Sequence, residues 1–204
     1  MTTTAAPTSP SACPACEGLR RDPLNAPDSR ALADHVAAAD CFEIFGLPRC
    51  FDLDPDDLHC RYVDLSRNVH PDAAAGASDD VQALALRLSA AVNRAYDTLA
   101  DPLRRAEYLL QTAGGATAAD DKRVPPDLLA DVLEKREQIE QARHAADPDA
   151  LAALRSEIEG RRNKLVARIA ALAARLDRSD PKLRDELRGQ LNAVKYVQTL
   201  LAQL

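Results

Sequence analysis

The sequence predicts an all-α chain in two parts, a first domain built on a helical hairpin and a C-terminal three-helix bundle. Three observations carry that expectation. Ala, Leu, Arg, Glu and Asp dominate, Gly is scarce and only 3% of the 204 residues are aromatic, a composition that favours helix over sheet. Apolar residues recur at spacings of three and four along most of the chain. Several of these runs open on an Asp followed by Pro, an N-cap acceptor with proline at the first helical position.

In chain order, residues 1–40 are rich in Pro, Thr, Ser, Ala and Asp. They read as a mostly disordered tail with a short helical candidate at Ser29–Ala39. The first domain is predicted over 41–115. "CFEIFGLP" gives a short helix and a Gly-Leu-Pro break. Asp54-Pro55 opens a second helix with Leu58, Tyr62, Leu65 and Val69 on its apolar face and Arg61, Arg67 and Asn68 on the other side. His70-Pro71-Asp72 stops it, because proline disfavours helix in the residue before it. Ser78 is placed to cap a long helix striped by Leu84, Leu88, Ala91, Ala95 and Leu99. Asp101-Pro102 restarts the chain as helix through Leu110.

Residues 116–125, after Gly114-Gly115 and ending at Pro125-Pro126, read as a linker. The predicted bundle occupies 126–204. Its first helix carries Leu129, Val132, Leu133 and Ile139. Its second, capped by Asp147 or Asp149, carries Leu151, Leu154, Ile158, Leu165, Ile169, Leu172 and Leu176. Its third, from Asp180-Pro181, carries Leu187, Leu191, Val194, Val197 and Leu201. Three amphipathic helices with short turns imply an antiparallel bundle.

The formal charge of −6, with no strongly basic segment, argues against nucleic acid as a partner. No apolar run approaches membrane-spanning length, so no membrane partner is expected. Five cysteines without a signal-like leader point to a reducing compartment and to thiols or metal rather than disulfides. Cys13 and Cys16 form a Cys-x-x-Cys, whose spacing lets two thiolates share one tetrahedral zinc. A four-ligand structural site needs two more ligands; a second Cys-x-x-Cys is missing, and Cys41 and Cys50 are the further candidates, at a spacing that matches no strong motif. Cys60 is expected in the core or at its boundary, and His35, His59 and His144 as isolated surface residues.

The helix–His-Pro-Asp–helix arrangement resembles a J-domain. "FGLP", the "LD…L…RY..L.R..HPD" pattern and "AYDTLADPLRRAEYLL" are similar to the HscB family of J-domain co-chaperones for iron–sulfur cluster assembly. "DPLRRAEYLL" is the most specific piece, since ordinary J-domains lack it, and "LLADVLEKREQIEQA" resembles that family's client-binding helix. The resemblance spans residues 41–204. It implies no enzymatic chemistry in this chain. It implies instead a co-chaperone that stimulates the ATPase of a DnaK-class, HscA-like chaperone through His70, Pro71 and Asp72, with Arg61, Arg67 and Asn68 beside them. It further implies that an IscU-like iron–sulfur scaffold protein binds Leu129, Ala130, Leu133, Glu134, Glu137, Gln141 and Tyr196. Ala130 and Gln141 depart from the family pattern, where a bulky apolar residue and an acid are expected. Asp56, Asp57 and Asp64 offset the two arginines of a helix that is basic in the family. The implied setting is the bacterial cytoplasm, or the mitochondrial matrix in a eukaryote. The alternatives are a general J-domain co-chaperone with another client and a metal-sensing regulator using the Cys-x-x-Cys.

Overall fold

Asp54 shows how this sequence starts its helices. Its carboxylate accepts hydrogen bonds from the Asp56 and Asp57 amides, and Pro55 fills the position whose N–H would have no partner. Asp101, Asp147 and Asp180 cap in the same way ahead of Pro102, Pro148 and Pro181. The computed structural model describes residues 14–204 apart from 22, 25–28 and 178. Among them it holds α1 (Pro14–Arg21), α2 (Ser29–Ala38), α3 (Cys41–Phe45), α4 (Pro55–Asn68), a one-turn 3-10 helix (Pro71–Ala74), α5 (Asp79–Ala100), α6 (Pro102–Thr112), α7 (Pro126–His144), α8 (Pro148–Ala173) and α9 (Pro181–Leu201), with no strand. The all-α expectation holds. Ser78 does occupy the N-cap position of α5, although its hydroxyl makes no capping bond.

The chain divides into two compact units, residues 1–104 and 105–204. In the first, α4 and α5 form an antiparallel hairpin. His59 meets Tyr96 (Nδ1 to hydroxyl 3.1 Å) and the Tyr62 hydroxyl donates to Asn93 at 3.1 Å. Leu58, Leu65 and Val69 of one arm face Leu84, Leu88, Ala91, Val92, Ala95 and Leu99 of the other, all buried, with Phe42, Ile44 and Phe45 of α3 completing the core. Tyr62 stays half-exposed because its ring stacks on Tyr96, centroids 4.0 Å apart.

The helical candidate at Ser29–Ala39 is present as α2, and the tail departs from its expectation in α1, which lies in a stretch that reads as disordered. Residues 14–21 and 29–38 are helical and bury Leu19, Ala33 and Val36 against α3, α4 and α5. α1 and α2 approach so closely that a Cβ on Gly18 would stand 2.6 Å from Leu32 Cδ1. Composition undervalued the segment because its few apolar residues fall at helical spacing and meet a surface formed by other helices. Residues 1–13 lie outside the described residues.

In the second unit, Lys135–Glu157 and Arg161–Asp131 ion pairs fix α7 antiparallel to α8. Leu128, Val132, Ile139, Ile158, Ala193, Val197 and Leu200 form one buried cluster of all three helices. Residues 116–125 do not behave as a free linker. α9 presents Arg184, Arg188 and Asn192 four residues apart on one face. Arg184 donates to the carbonyls of Ala113 and Gly114, Arg188 pairs with Glu107, and the Asn192 amide donates to the carbonyls of Asp121 and Arg123, 2.9 Å each. This row stitches the rest of α6 and the segment after it to the bundle, so the unit boundary falls inside α6 rather than at 116.

Arg188 is 1% exposed, and its Nε is held by the Asn192 carbonyl oxygen at 3.1 Å. Burial pushes the Glu107 carboxyl up, but the hydrogen bond and charge of Arg188, helped by Gln111 and Lys195, bring it below its ordinary 4.5. A carboxyl held down in the folded state contributes stability that is present above its unfolded value and lost as pH falls through the folded one. The wild type is therefore expected to lose stability below pH 4.5. Glu107→Gln should flatten that acid limb and cost about 3 kcal/mol at neutral pH, because it strands a buried guanidinium. Arg188→Met, which removes the fully buried charge and leaves only the more exposed Glu107 to be hydrated, should cost less. Urea unfolding midpoints of the three proteins between pH 3 and 7 check both points.

Candidate functional site

The α4–α5 turn is built to display two side chains. Val69, fully buried, ends α4 with its amide on the Leu65 carbonyl. His70 then leaves the helix in extended geometry (φ −62°, ψ 133°), and Pro71 starts the 3-10 turn. The Asp72 amide donates to His70 Nδ1 at 3.1 Å. That bond uses Nδ1 as acceptor, which assigns the proton of the neutral ring to Nε2, on the far side of the imidazole. Ala74, buried, pins the turn from behind, and Gly76 takes φ +82°, where a side chain would be strained. The result is a rigid tip. His70 is 57% and Asp72 90% exposed in their side chains, with the carboxylate 3.6 Å from Nδ1. One donor and one anion are thus presented together.

The residues expected beside this tip divide. Arg61 is not a free basic group on the surface. Its Nη1 donates to the Phe45 and Gly46 carbonyls (3.0 and 3.2 Å), closing the end of α3, and its Nε pairs with Asp57 at 2.9 Å. Asn68 likewise turns inward and donates to the Leu19 and Arg20 carbonyls at the end of α1. Arg67 is exposed. Pattern alone placed all three on the non-core side of α4, and that is where they lie. What it left out is that α1 and the end of α3 also reach that side.

On the bundle, α7 sorts its leucines. Leu128, Val132, Ile139 and Ala142 are buried, while Leu129 (44%) and Leu133 (65%) point outward. At about 100° per residue, Leu129, Ala130, Leu133, Glu134, Glu137 and Gln141 span about 140° of one helix face. All six are exposed. Three of the six are braced along the helix, Glu134 by a hydrogen bond from Gln138 and Glu137 by one from Gln141. Tyr196, 41% exposed, stands on α9 beside the buried Ala193–Val197 seam that packs against α7. Leu129, Leu133 and Tyr196 are three of the four large apolar side chains exposed among the described residues.

Cys13 lies outside the described residues, as does the side chain of Cys16. Among the described residues no group of three or more His, Cys, Asp or Glu is placed to hold a metal. Cys60 is exposed, not core, and Cys50 donates its thiol to the Asp52 carbonyl at 3.3 Å. His59, expected to stand alone, shares a cluster with Tyr62 and Tyr96. No described helix is long and apolar enough to cross a membrane.

A helical hairpin tipped by an exposed His-Pro-Asp turn, joined to a three-helix bundle, defines a two-part protein of the J-domain class. Comparison with known proteins narrows it. Residues 124–204 match the family described as the HSCB C-terminal oligomerisation domain. The co-chaperone protein HscB homolog of Burkholderia mallei is 38% identical over 157 residues, 76% of this chain and 88% of that protein. The homolog of Chromobacterium violaceum is 41% identical over 128 residues, 62% and 72% of the two chains. Among solved structures, the chaperone HscB of Vibrio cholerae superposes with a TM-score of 0.68 at 32% identity, covering 80% of this chain and 94% of that one. The human co-chaperone HscB shares the fold, with the same TM-score at 23% identity over 79% and 78%. The chain belongs to the HscB co-chaperone family.

Proposed function

We propose that this protein stimulates the ATPase of a DnaK-class, HscA-like chaperone with its His70–Asp72 tip and delivers an IscU-like iron–sulfur scaffold to it with the outer face of α7 and Tyr196. The observation that carries the reading is the tip itself. It is a rigid imidazole–carboxylate pair, exposed and held from behind, in a chain of the HscB family. It acts by favouring one conformation of the surface it touches, and it can shift that partner's equilibrium only by its differential affinity for the two states. The exposed Leu129, Leu133 and Tyr196 give the second surface, which keeps the client on a separate unit from the trigger. The setting is the bacterial cytoplasm.

Steady-state ATP hydrolysis by the cognate chaperone tests this. Added protein should raise the rate, and scaffold added with it should raise it further than either alone. A rate unmoved by the protein overturns the reading. Stimulation that ignores the scaffold while another client raises it favours a general J-domain co-chaperone, for which the small Ala130 and the neutral Gln141 on the α7 face are the observations.

A further inference from the structure

We infer that α1 completes the docking face of α4, and that the cleft between them receives a carboxylate side chain on an acidic surface of the ATPase partner. The inference rests on the functional reading above and adds to it a segment outside the hairpin.

Leu19 is fully buried, so α1 is seated rather than adjacent. The last carbonyls of a helix have no intrahelical donor, and those of Leu19 and Arg20 are taken by the Asn68 side-chain amide (3.2 and 3.4 Å). The end of α1 is thereby fixed against the end of α4, two residues before His70. A cleft of about 400 Å³ opens there, lined by Arg20, Arg61, Asp64, Leu65, Arg67 and Asn68. Arg61 gives Nη1 to the α3 carbonyls and Nε to Asp57, and Asn68 gives its amide to the α1 carbonyls, while Arg20 and Arg67 are the exposed arginines of the cleft.

This answers a deficit in the helix itself. α4 carries Asp56, Asp57 and Asp64 against Arg61 and Arg67, and Asp57 already neutralises Arg61. Alone, the helix offers little attraction to an anion. α1 brings Arg20 into the same cleft as Arg67. Two guanidinium groups in one cleft suit a carboxylate, which each can grip through paired N–H bonds. Asp64 lines the same cleft and opposes a polyanion, as does the overall charge of −6. A single acidic side chain on a protein surface therefore fits better than a nucleic-acid backbone.

The test uses the full chain and the cognate chaperone, with association followed by biolayer interferometry at 50 and 300 mM salt. Arg20→Glu and Arg67→Glu should each slow association roughly tenfold at low salt, with the loss shrinking at high salt, as for exposed steering charges. Leu19→Ser, which unseats α1 without changing charge, should match Arg20→Glu, while a thermal melt confirms that the hairpin stays folded. Arg20→Glu binding like wild type while Arg67→Glu binds weakly would overturn the inference. So would tighter binding by Leu19→Ser, which would make α1 a cover over α4. If the wild-type chain does not bind the chaperone, the functional reading falls as well; if it binds and stimulates, only the role of α1 is at stake.

Discussion

Replacing His70 by Gln is expected to remove chaperone stimulation while leaving the fold and scaffold binding intact. His70 uses Nδ1 to receive the Asp72 amide and keeps Nε2–H for a partner. The rigid ring performs both tasks at once. Glutamine has a donor and an acceptor but on one flexible amide, so it cannot cap the turn and present a donor in the same direction. If the lost contact is made only in the hydrolysis-competent state of the chaperone, its removal is worth about 1.5–3 kcal/mol, roughly 10- to 100-fold in stimulation. Asp72→Asn should move the rate in the same direction, since its carboxylate is 90% exposed and its loss costs the fold little. The measurement is chaperone ATPase rate against co-chaperone concentration. A His70→Gln curve that overlies wild type sinks the role given to the tip.

The second large effect lies on the other unit. Leu133→Ala with Tyr196→Ala should weaken scaffold binding by roughly 30- to 1,000-fold, or about 2–4 kcal/mol for two anchors of a protein interface. Both side chains are substantially exposed, at 65% and 41%, so thermal stability should stay near wild type. Stimulation of the chaperone in the absence of scaffold should also survive, because the trigger is on residues 70–72. Isothermal titration with the scaffold decides it, and unchanged affinity would remove this face from the account.

Much of this was legible in the chain. The helix starts could be read because a carboxylate cap followed by proline is a local device, needing no knowledge of the fold. The hairpin core followed from spacing alone, and Leu84, Leu88, Ala91, Ala95 and Leu99 are all buried. What escaped depends on long side chains reaching distant backbone. Nothing near Arg61 in sequence says that its guanidinium closes α3 fifteen and sixteen residues earlier. Nor does anything near Asn68 say that it holds a helix some fifty residues upstream. The same holds for Arg184, Arg188 and Asn192, which make a Gly-rich segment that looks like a linker part of the bundle. On α7, periodicity gave the helix but left open which of its leucines form the seam. Packing settled that by burying Leu128 and turning Leu129 and Leu133 outward.

The central claim is that one chain must carry both surfaces, because it brings the client to the chaperone it triggers. Mixing two defective variants tests this directly. His70→Gln keeps the client face and lacks the trigger; Leu133→Ala/Tyr196→Ala keeps the trigger and lacks the client face. The account predicts that the mixture hydrolyses ATP no faster with scaffold present than the second variant does alone. Restoration of the full scaffold-dependent rate by the mixture would contradict it.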